Sequence, residues 1–423
     1  MKTFIIVVFI FYLTSIVFSA PGDLIWRYGT GYYVTSSPCV SDGFVYVGSY
    51  DDYFYALDSS IGNLKWRYRT GSSVSSSPCV SDGVVFFGSE DDYLYALNCL
   101  DGTLKWRYKT VNDVISSPCV SGGVVYVGGR DWYIYAINSA TGTLKWRYLT
   151  GYEIYSSPCV SNGVVYVGSN DNYLYAMNCS DGNLKWRYLT GNTVYSSPCV
   201  SDGVVYIGSR DYYLYAINCS DGTLKWRYRT GYWVYSSPCV SDGVVFWGSY
   251  DDYLYAINSS DGTLKWRYKT NTNVRSSPCV SDGVVYIGSF DNYLYAINCS
   301  NGMLKWRYIT GNDIYSSPCV SDGVAYIGSN DTCLYAIETY GYTGFKDNKS
   351  ANYVPSNDFS ISPNPFTDRL TISLLSSGVI YSLTGQLIMN LPKGKHVLDT
   401  QSWEQGVYII KAGNEQKKVV RIN

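Results

Sequence analysis

Histidine is all but missing from this 423-residue chain; the one copy is His396. The residues before it therefore hold no Ser-His-Asp or Cys-His pair and no imidazole for a metal. Glutamate is nearly as scarce there, limited to Glu90, Glu153 and Glu338 up to residue 338. Charged residues make up only 16% of the chain and almost cancel, at net −2. No basic stripe is present to grip a phosphate backbone, so no nucleic acid partner is expected. No two cysteines are adjacent, and no segment keeps a helical period.

What is present is repetition. Trp-Arg-Tyr occurs eight times at a spacing of 40 residues, beginning at Trp26, Trp66, Trp106, Trp146, Trp186, Trp226, Trp266 and Trp306. Ser-Ser-Pro-Cys keeps the same period from Ser36 to Cys319, and Tyr-Ala from Tyr55 to Ala336. A unit of this length cannot bury its own apolar face and must stack on copies of itself.

One unit, residues 71–110, reads as four strands, labelled A to D. Val74–Val80 alternates, and Ser81-Asp82-Gly83 turns. Val84–Gly88 is rich in β-formers, and Ser89–Asp92 turns again. Tyr93–Leu97 is a third strand, Asp101-Gly102-Thr103 a turn, and Leu104–Tyr108 a fourth strand. Radial repetition of such meanders makes a β-propeller, which leaves only short protected edges. The first element is a lone strand D, Leu24–Tyr28, and the last is an A-B-C set from Ile314 to Ile337. The two are expected to combine, giving an all-β ring of eight four-stranded antiparallel blades. On strand D, Leu104, Trp106 and Tyr108 share a face, and the tryptophan is the expected packing anchor. A fully buried Trp hides roughly 150–250 Å², worth about 4–6 kcal/mol gross.

The ends and the cysteines bound the setting. Lys2 and the apolar run Phe4–Phe18 read as a secretory signal peptide over residues 1–19. The run is short for a span of about 20 residues, so no transmembrane span is expected once it is removed. Of 13 cysteines, eight belong to Ser-Ser-Pro-Cys; Cys99, Cys179, Cys219 and Cys299 share a second repeat position, and Cys333 stands alone. Equivalent copies favour small buried thiols over bridges, and the odd count leaves at least one thiol unpaired in a monomer.

Ala56, Asp58, Gly62 and Trp66 form a pattern, repeated with Asn for Asp as in Ala136, Asn138, Gly142 and Trp146. It resembles the tryptophan-docking motif of PQQ-binding-like, or quinoprotein-like, β-propeller repeats over about residues 24–338. The resemblance implies a propeller and two kinds of function. Some members are dehydrogenases holding pyrroloquinoline quinone and Ca²⁺; others are non-enzymatic scaffolds or binding modules. The long insertions, calcium ligands and adjacent cysteines of the dehydrogenases have no match here. The expectation is therefore no cofactor and no catalysis.

Residues 339–357 read as a polar linker. Residues 358–423 contain Pro363-Asn364-Pro365-Phe366, Gly406-Val407-Tyr408 and a basic end around Lys417-Lys418. This segment is similar to the C-terminal sorting domain of type IX secretion, a small β-sandwich. The resemblance implies contact with that secretion machinery and a secreted or outer-surface location.

The differences between units cluster in two stretches, the D–A loop with the start of strand A and the B–C loop. In an up-and-down blade these emerge on one side of the disc. Their palette of Tyr, Trp, Asn, Ser and Arg resembles binding loops. A carbohydrate or protein partner is expected on this side, with Tyr33, Trp132, Tyr152, Tyr212 and Trp233 as anchors and the eight repeat tryptophans as structure. The recurring Asp51, Asp91, Asp131, Asp171, Asp211, Asp251, Asp291 and Asp331 read as turn residues bonding their own backbone rather than as a Ca²⁺ ring. Asp113, Glu153 and Asp313 are the carboxylates that a hydrolase would need to converge. The alternative expectations are a PQQ-dependent oxidoreductase and a structural surface protein.

Overall fold

Each unit folds as its alternation requires. In the first blade strand A is Cys39–Ser41, B Phe44–Gly48, C Tyr53–Asp58 and D Leu64–Arg69, paired antiparallel in that order. The pattern recurs every 40 residues to Leu304–Ile309. The computed structural model describes residues 20–339, then 359–362, 369–374, 378–382, 387–392, 394–399, 406–412 and 415–421. The expected signal peptide and residues 340–357 of the expected linker lie outside the described residues. At the A–B turn both Asp42 (φ 51°) and Gly43 (φ 79°) are left-handed. Such a two-residue hairpin turn needs this, and Asp-Gly supplies it at low cost.

The ring closes as the element count predicts. Leu24–Gly29 pairs antiparallel with Cys333–Glu338 and becomes strand D of the eighth blade. The join extends into the neighbouring turn. The Gly22 N–H donates to the Glu338 carbonyl at 2.8 Å, and the Glu338 N–H donates to the Asp23 carbonyl at 2.9 Å. In the first blade the Gly62 N–H donates to Asp58 and the Asp58 N–H donates to Asn63, at 2.9 and 2.8 Å. Gly22 and Asp23 thus stand where an unbroken C–D turn would place its glycine and the next residue.

Eight apolar clusters fill the seams between blades. Tyr46, Phe54 and Ala56 pack against Val74, Val85, Phe87, Tyr95 and Leu97 of the next unit. The last cluster joins Tyr326, Leu334 and Trp26 to Val45, Val47 and Leu57. The tryptophans stitch these seams. The Trp66 indole N–H donates to the Cys99 carbonyl of the following blade at 2.9 Å. Equivalent bonds of 2.9–3.1 Å run from Trp26, Trp106, Trp146, Trp186, Trp226 and Trp266. Each ring lies against the next blade's turn glycine. A Cβ on Gly102 would come within 2.5 Å of Trp66, and Gly102 is itself left-handed at φ 70°. Trp306 lies instead against Gly22, where a Cβ would sit 3.3 Å from the indole. The docking motif therefore joins successive units: Gly62 receives Trp26, and Trp66 passes on to Gly102.

Two local expectations are corrected. Strand A is only three residues long, Cys79–Ser81 in the second unit, although Val74–Val80 alternates. Pro78 has no N–H to donate, and the Ser77 N–H turns sideways to Ser117 Oγ of the next blade at 2.9 Å. On strand D, Ala96 pairs with Trp106 but Leu97 pairs with Leu104, so Lys105 is the extra residue of a bulge. The bulge turns Leu104 outward, 43% exposed, while Trp106 and Tyr108 stay against the seam. Trp26 and Trp146 are buried but the other six are only partly so. The full-burial energy therefore overstates most of these anchors, and the indole hydrogen bond carries more of the specificity.

The sideways serine bonds form a circuit. Each backbone N–H of Ser37, Ser77, Ser117, Ser157, Ser197, Ser237 and Ser277 donates to the Oγ of the serine 40 residues on, at 2.9–3.0 Å. Ser317 donates back to Ser37 at 2.9 Å. The Ser-Ser-Pro-Cys segments thus encircle the axis.

All 13 cysteines are free. Burial pushes the Cys39 thiol up to about 12, with Cys319 and Cys79 adding to it. Burial likewise raises Cys119, Cys159, Cys199, Cys239 and Cys319 to about 11.

The remaining residues, 343–423, form a separate unit. It has a three-stranded antiparallel sheet (Phe359–Ser362, Arg369–Leu374, Gly394–Asp399). It also has a four-stranded one (Leu387–Leu391, Gly378–Ser382, Gly406–Ala412, Glu415–Arg421). Ile380, Leu391 and Ile410 are buried. His396 donates from Nε2 to the Pro392 carbonyl at 2.7 Å. No helix among the described residues is long and apolar enough to cross a membrane.

Two outcomes follow. Ser77→Ala leaves the Ser37 N–H without its acceptor and is expected to cost about 1–2 kcal/mol, read from urea unfolding. The raised thiols hold protons in the folded ring that the unfolded chain releases near pH 9. Stability is therefore expected to be intact below about pH 9 and to fall between about pH 9 and 12, as alkaline titration followed by circular dichroism would record.

Candidate binding face

The recurring aspartate holds the D–A and B–C loops together. Asp51 Oδ2 accepts the Gly31 N–H of the preceding D–A loop at 2.6 Å and the Tyr55 hydroxyl at 2.6 Å; Oδ1 accepts the Tyr53 N–H at 3.1 Å. The loop-to-loop bond recurs at every seam, ending with Gly311 to Asp331. The aspartates do bond their own turns, and they also bracket adjoining blades. Their oxygens are committed to protein donors, and no cluster of three or more metal-ligating side chains occurs among the described residues. The donor set for a Ca²⁺-quinone centre does not fit this face.

The residue after each of these aspartates is left-handed. Asp52, Asp92, Asn172, Asp252 and Asn292 tolerate this, at φ 68–75°. Trp132 (φ 73°), Tyr212 (φ 77°) and Thr332 (φ 74°) do not, at a cost of about 1–2 kcal/mol each. Both aromatics are used alike. Trp132 is 41% exposed and stacks on Tyr152 at 5.4 Å and 24°. Tyr212 stacks on Tyr232 at 5.5 Å and 19°. Two blades separate the pairs, a quarter turn of an eight-bladed ring.

Inside the rim, equivalent positions of successive blades touch, so they surround the axis. Tyr155 meets Tyr195 at 4.7 Å, and Tyr195 meets Tyr235 at 5.1 Å. The arc continues through Tyr250 and Phe290 to Tyr315, at 4.7, 5.9 and 4.3 Å. Trp233 joins it at Tyr235, 5.8 Å away, and links outward to Tyr232 at 4.6 Å. The same position in the other units carries Thr35, Ser75, Ile115 and Arg275. Acids collect on that side. Arg130 bonds Asp113 at 2.7 Å and lies 3.6 Å from Glu153. Glu90 accepts from the Ser75 hydroxyl at 2.8 Å, and burial raises its carboxyl, with Asp113 adding. Asp113 and Glu153 are thus joined by a shared cation. Asp313 lies in a unit across the ring, its carboxyl raised by burial.

All five expected anchors lie on this side and none is buried. Trp132 and Tyr152 form one pair. Tyr212 reaches Trp233 through Tyr232. Tyr33 stands with Tyr32 at 4.2 Å. The sequence reading did not single out Tyr232, Tyr235, Tyr250, Phe290, Tyr315, Arg210 and Arg275 as anchors. Their positions varied between units, but only the ring places them beside one another. On the opposite side, clefts of about 380 Å³ open at two equivalent seams, beside Lys145 and Cys179 and beside Lys265 and Cys299.

Comparison with known proteins agrees with this architecture. Residues 5–242 match the family described as beta-alanine-activating enzyme, beta-propeller. Residues 194–339 match outer membrane protein assembly factor BamB, and residues 360–422 match the secretion system C-terminal sorting domain. Among solved structures the chain is similar to BamB from Moraxella catarrhalis, with TM-score 0.65, 16% identity, and 75% of this chain and 99% of that one covered. It is similar to the computationally designed Ika8 protein at TM-score 0.69 and 16% identity, covering 75% and 99%. A europium-containing methanol dehydrogenase follows at TM-score 0.63 and 14% identity, covering 73% and 85%. Such identities speak for the fold alone. No curated protein matches the chain.

Backbone strain at the rim has a measurable signature. Thr332→Asn removes a β-branched residue from a left-handed site and is expected to stabilise the ring by about 1 kcal/mol. Trp132→Asn relieves similar strain but loses a stack of about 0.5–1.5 kcal/mol, so it is expected to be nearly neutral in the same thermal or urea unfolding assay.

Proposed function

The chain belongs to the beta-alanine-activating enzyme β-propeller family, is built of PQQ-like repeats and carries a type IX secretion sorting domain, and from that premise we propose a non-catalytic carbohydrate-binding module. The sorting domain makes the protein a secreted or cell-surface one and implies contact with the type IX machinery. The binding function is read from the rim. Two units place a stacked aromatic pair where five others keep an inexpensive Asp or Asn. Exposed aromatic faces at a strained backbone position are what recognition of sugar rings needs, because pyranose C–H faces stack on them. Two such pairs a quarter turn apart would contact separate stretches of one long glycan, and weak contacts on one chain add through effective concentration.

The committed aspartates, the missing ligand set and the single histidine all stand against the oxidoreductase alternative. Adding PQQ and Ca²⁺ to the purified protein is expected to leave no bound chromophore and no dye reduction. Glycan-array screening of the full chain is expected to give hits that Trp132→Ala and Trp233→Ala each weaken several-fold to about tenfold. Binding unchanged in both variants would move the ligand off this face. Capture of protein partners without any glycan would favour the protein-partner reading. Self-association without a ligand would favour a structural surface protein.

A further inference from the structure

Two cations of the axial mouth have no carboxylate partner. Among the described residues the ion pairs are Lys65–Asp58, Arg130–Asp113 and Arg130–Glu153; Arg210 and Arg275 enter none. The Arg210 guanidinium lies 4.3 Å over Trp233 and 5.7 Å from Tyr235. Its Nε is buried without a hydrogen-bond partner. Arg275 is exposed, 5.5 Å from the same Tyr235 ring and 5.0 Å from Tyr315. Two guanidinium groups therefore converge on one tyrosine.

These arginines are not repeat furniture. The strand-D arginines, such as Arg67 over Tyr53 at 4.5 Å, recur from blade to blade and belong to the scaffold. Arg210 stands where other units carry Tyr, Glu, Arg, Asn or Phe, and Arg275 where they carry Thr, Ser, Ile or Tyr. Arg130, whose Nε is likewise buried without a hydrogen-bond partner, differs in charge, since Asp113 and Glu153 already neutralise it. A stacked cation tolerates partial burial, but a donor without an acceptor costs free energy until one arrives. The group that fits is planar and anionic and takes two parallel N–H donors. Glu90, Asp113 and Glu153 outnumber the single Arg130 they surround, and that acidic surplus disfavours such a group on their part of the face.

We propose that the mouth is an acidic-sugar subsite, in which Arg210 and Arg275, held by Trp233 and Tyr235, take the carboxylate of a uronate residue. The inference rests on the carbohydrate-binding reading and narrows it to carboxylated glycans. Calorimetry of the full chain would compare an oligogalacturonide, a neutral dextran oligosaccharide and a sulfated oligosaccharide of similar length. The oligogalacturonide is expected to bind best and to weaken as salt rises. Arg210→Gln and Arg275→Gln are each expected to weaken it about tenfold or more, with little effect on the neutral sugar. Arg67→Gln on the outer strand is expected to change nothing. Circular dichroism checks folding, and Arg275→Gln, at an exposed site, keeps the test open if Arg210→Gln fails to fold. Equal binding of acidic and neutral sugars, unmoved by either variant, would overturn this inference and leave the broader reading intact. Preference for the sulfated sugar would overturn the carboxylate assignment. Binding of none would overturn both.

Discussion

Closure is the constraint on which everything else depends. Eight serine N–H groups each reach the serine of the next blade, and the bond from Ser317 returns to Ser37. A circuit of this kind has no slack. The angle between blades must be the same at every seam, so each seam must hold nearly the same volume. That is why Trp, Gly, Ala and Tyr recur at fixed positions, and why the eight clusters are near copies. A repeat stack with free ends could absorb one odd interface; a ring distributes it over all the others.

The same constraint explains where the units are free to differ. The C–D turns are tied into seams by receiving the neighbouring tryptophan, and the A–B turns are bonded to the C–D turn of their own blade. Across the disc, the aspartate brackets fix the backbone of the D–A and B–C loops and leave the side chains between them unconstrained. Invariant backbone and variable side chains are the conditions for a rigid surface that acquires recognition without disturbing the fold. Trp132 and Tyr212 show that the freedom was used at a cost, because Asp or Asn would suit their backbone better. The asymmetric mouth, with acids beside Arg130 and aromatics beside Arg210 and Arg275, has the same origin.

Much of this was legible in the residues, and the misses have physical causes. Closure could be read because the series opens on a lone strand D and ends on a strand C. The stand-in turn could not, since Ala20-Pro21-Gly22-Asp23 reads as an ordinary loop until Gly22 meets Trp306. Strand A was overestimated because alternation reports side-chain direction and not where an N–H goes. Leu104 was placed inside because a bulge shifts the face without leaving a mark in the pattern. At the candidate site, comparing units picked out Tyr33, Trp132, Tyr152, Tyr212 and Trp233, all of them unburied and on one side. The convergence of Arg210 and Arg275 on Tyr235 was hidden, because they belong to different units and only the closed circle brings them to one ring.

Hydrogen exchange on the native protein addresses closure most directly. If the ring is clasped as described, the amides of residues 24–29 that bond residues 333–338 exchange as slowly as the equivalent amides of the fourth strands of the interior blades. Rapid exchange of residues 24–29 while the interior blades stay protected would mean a frayed end and an open array, contradicting the closed circle and the binding face built on it.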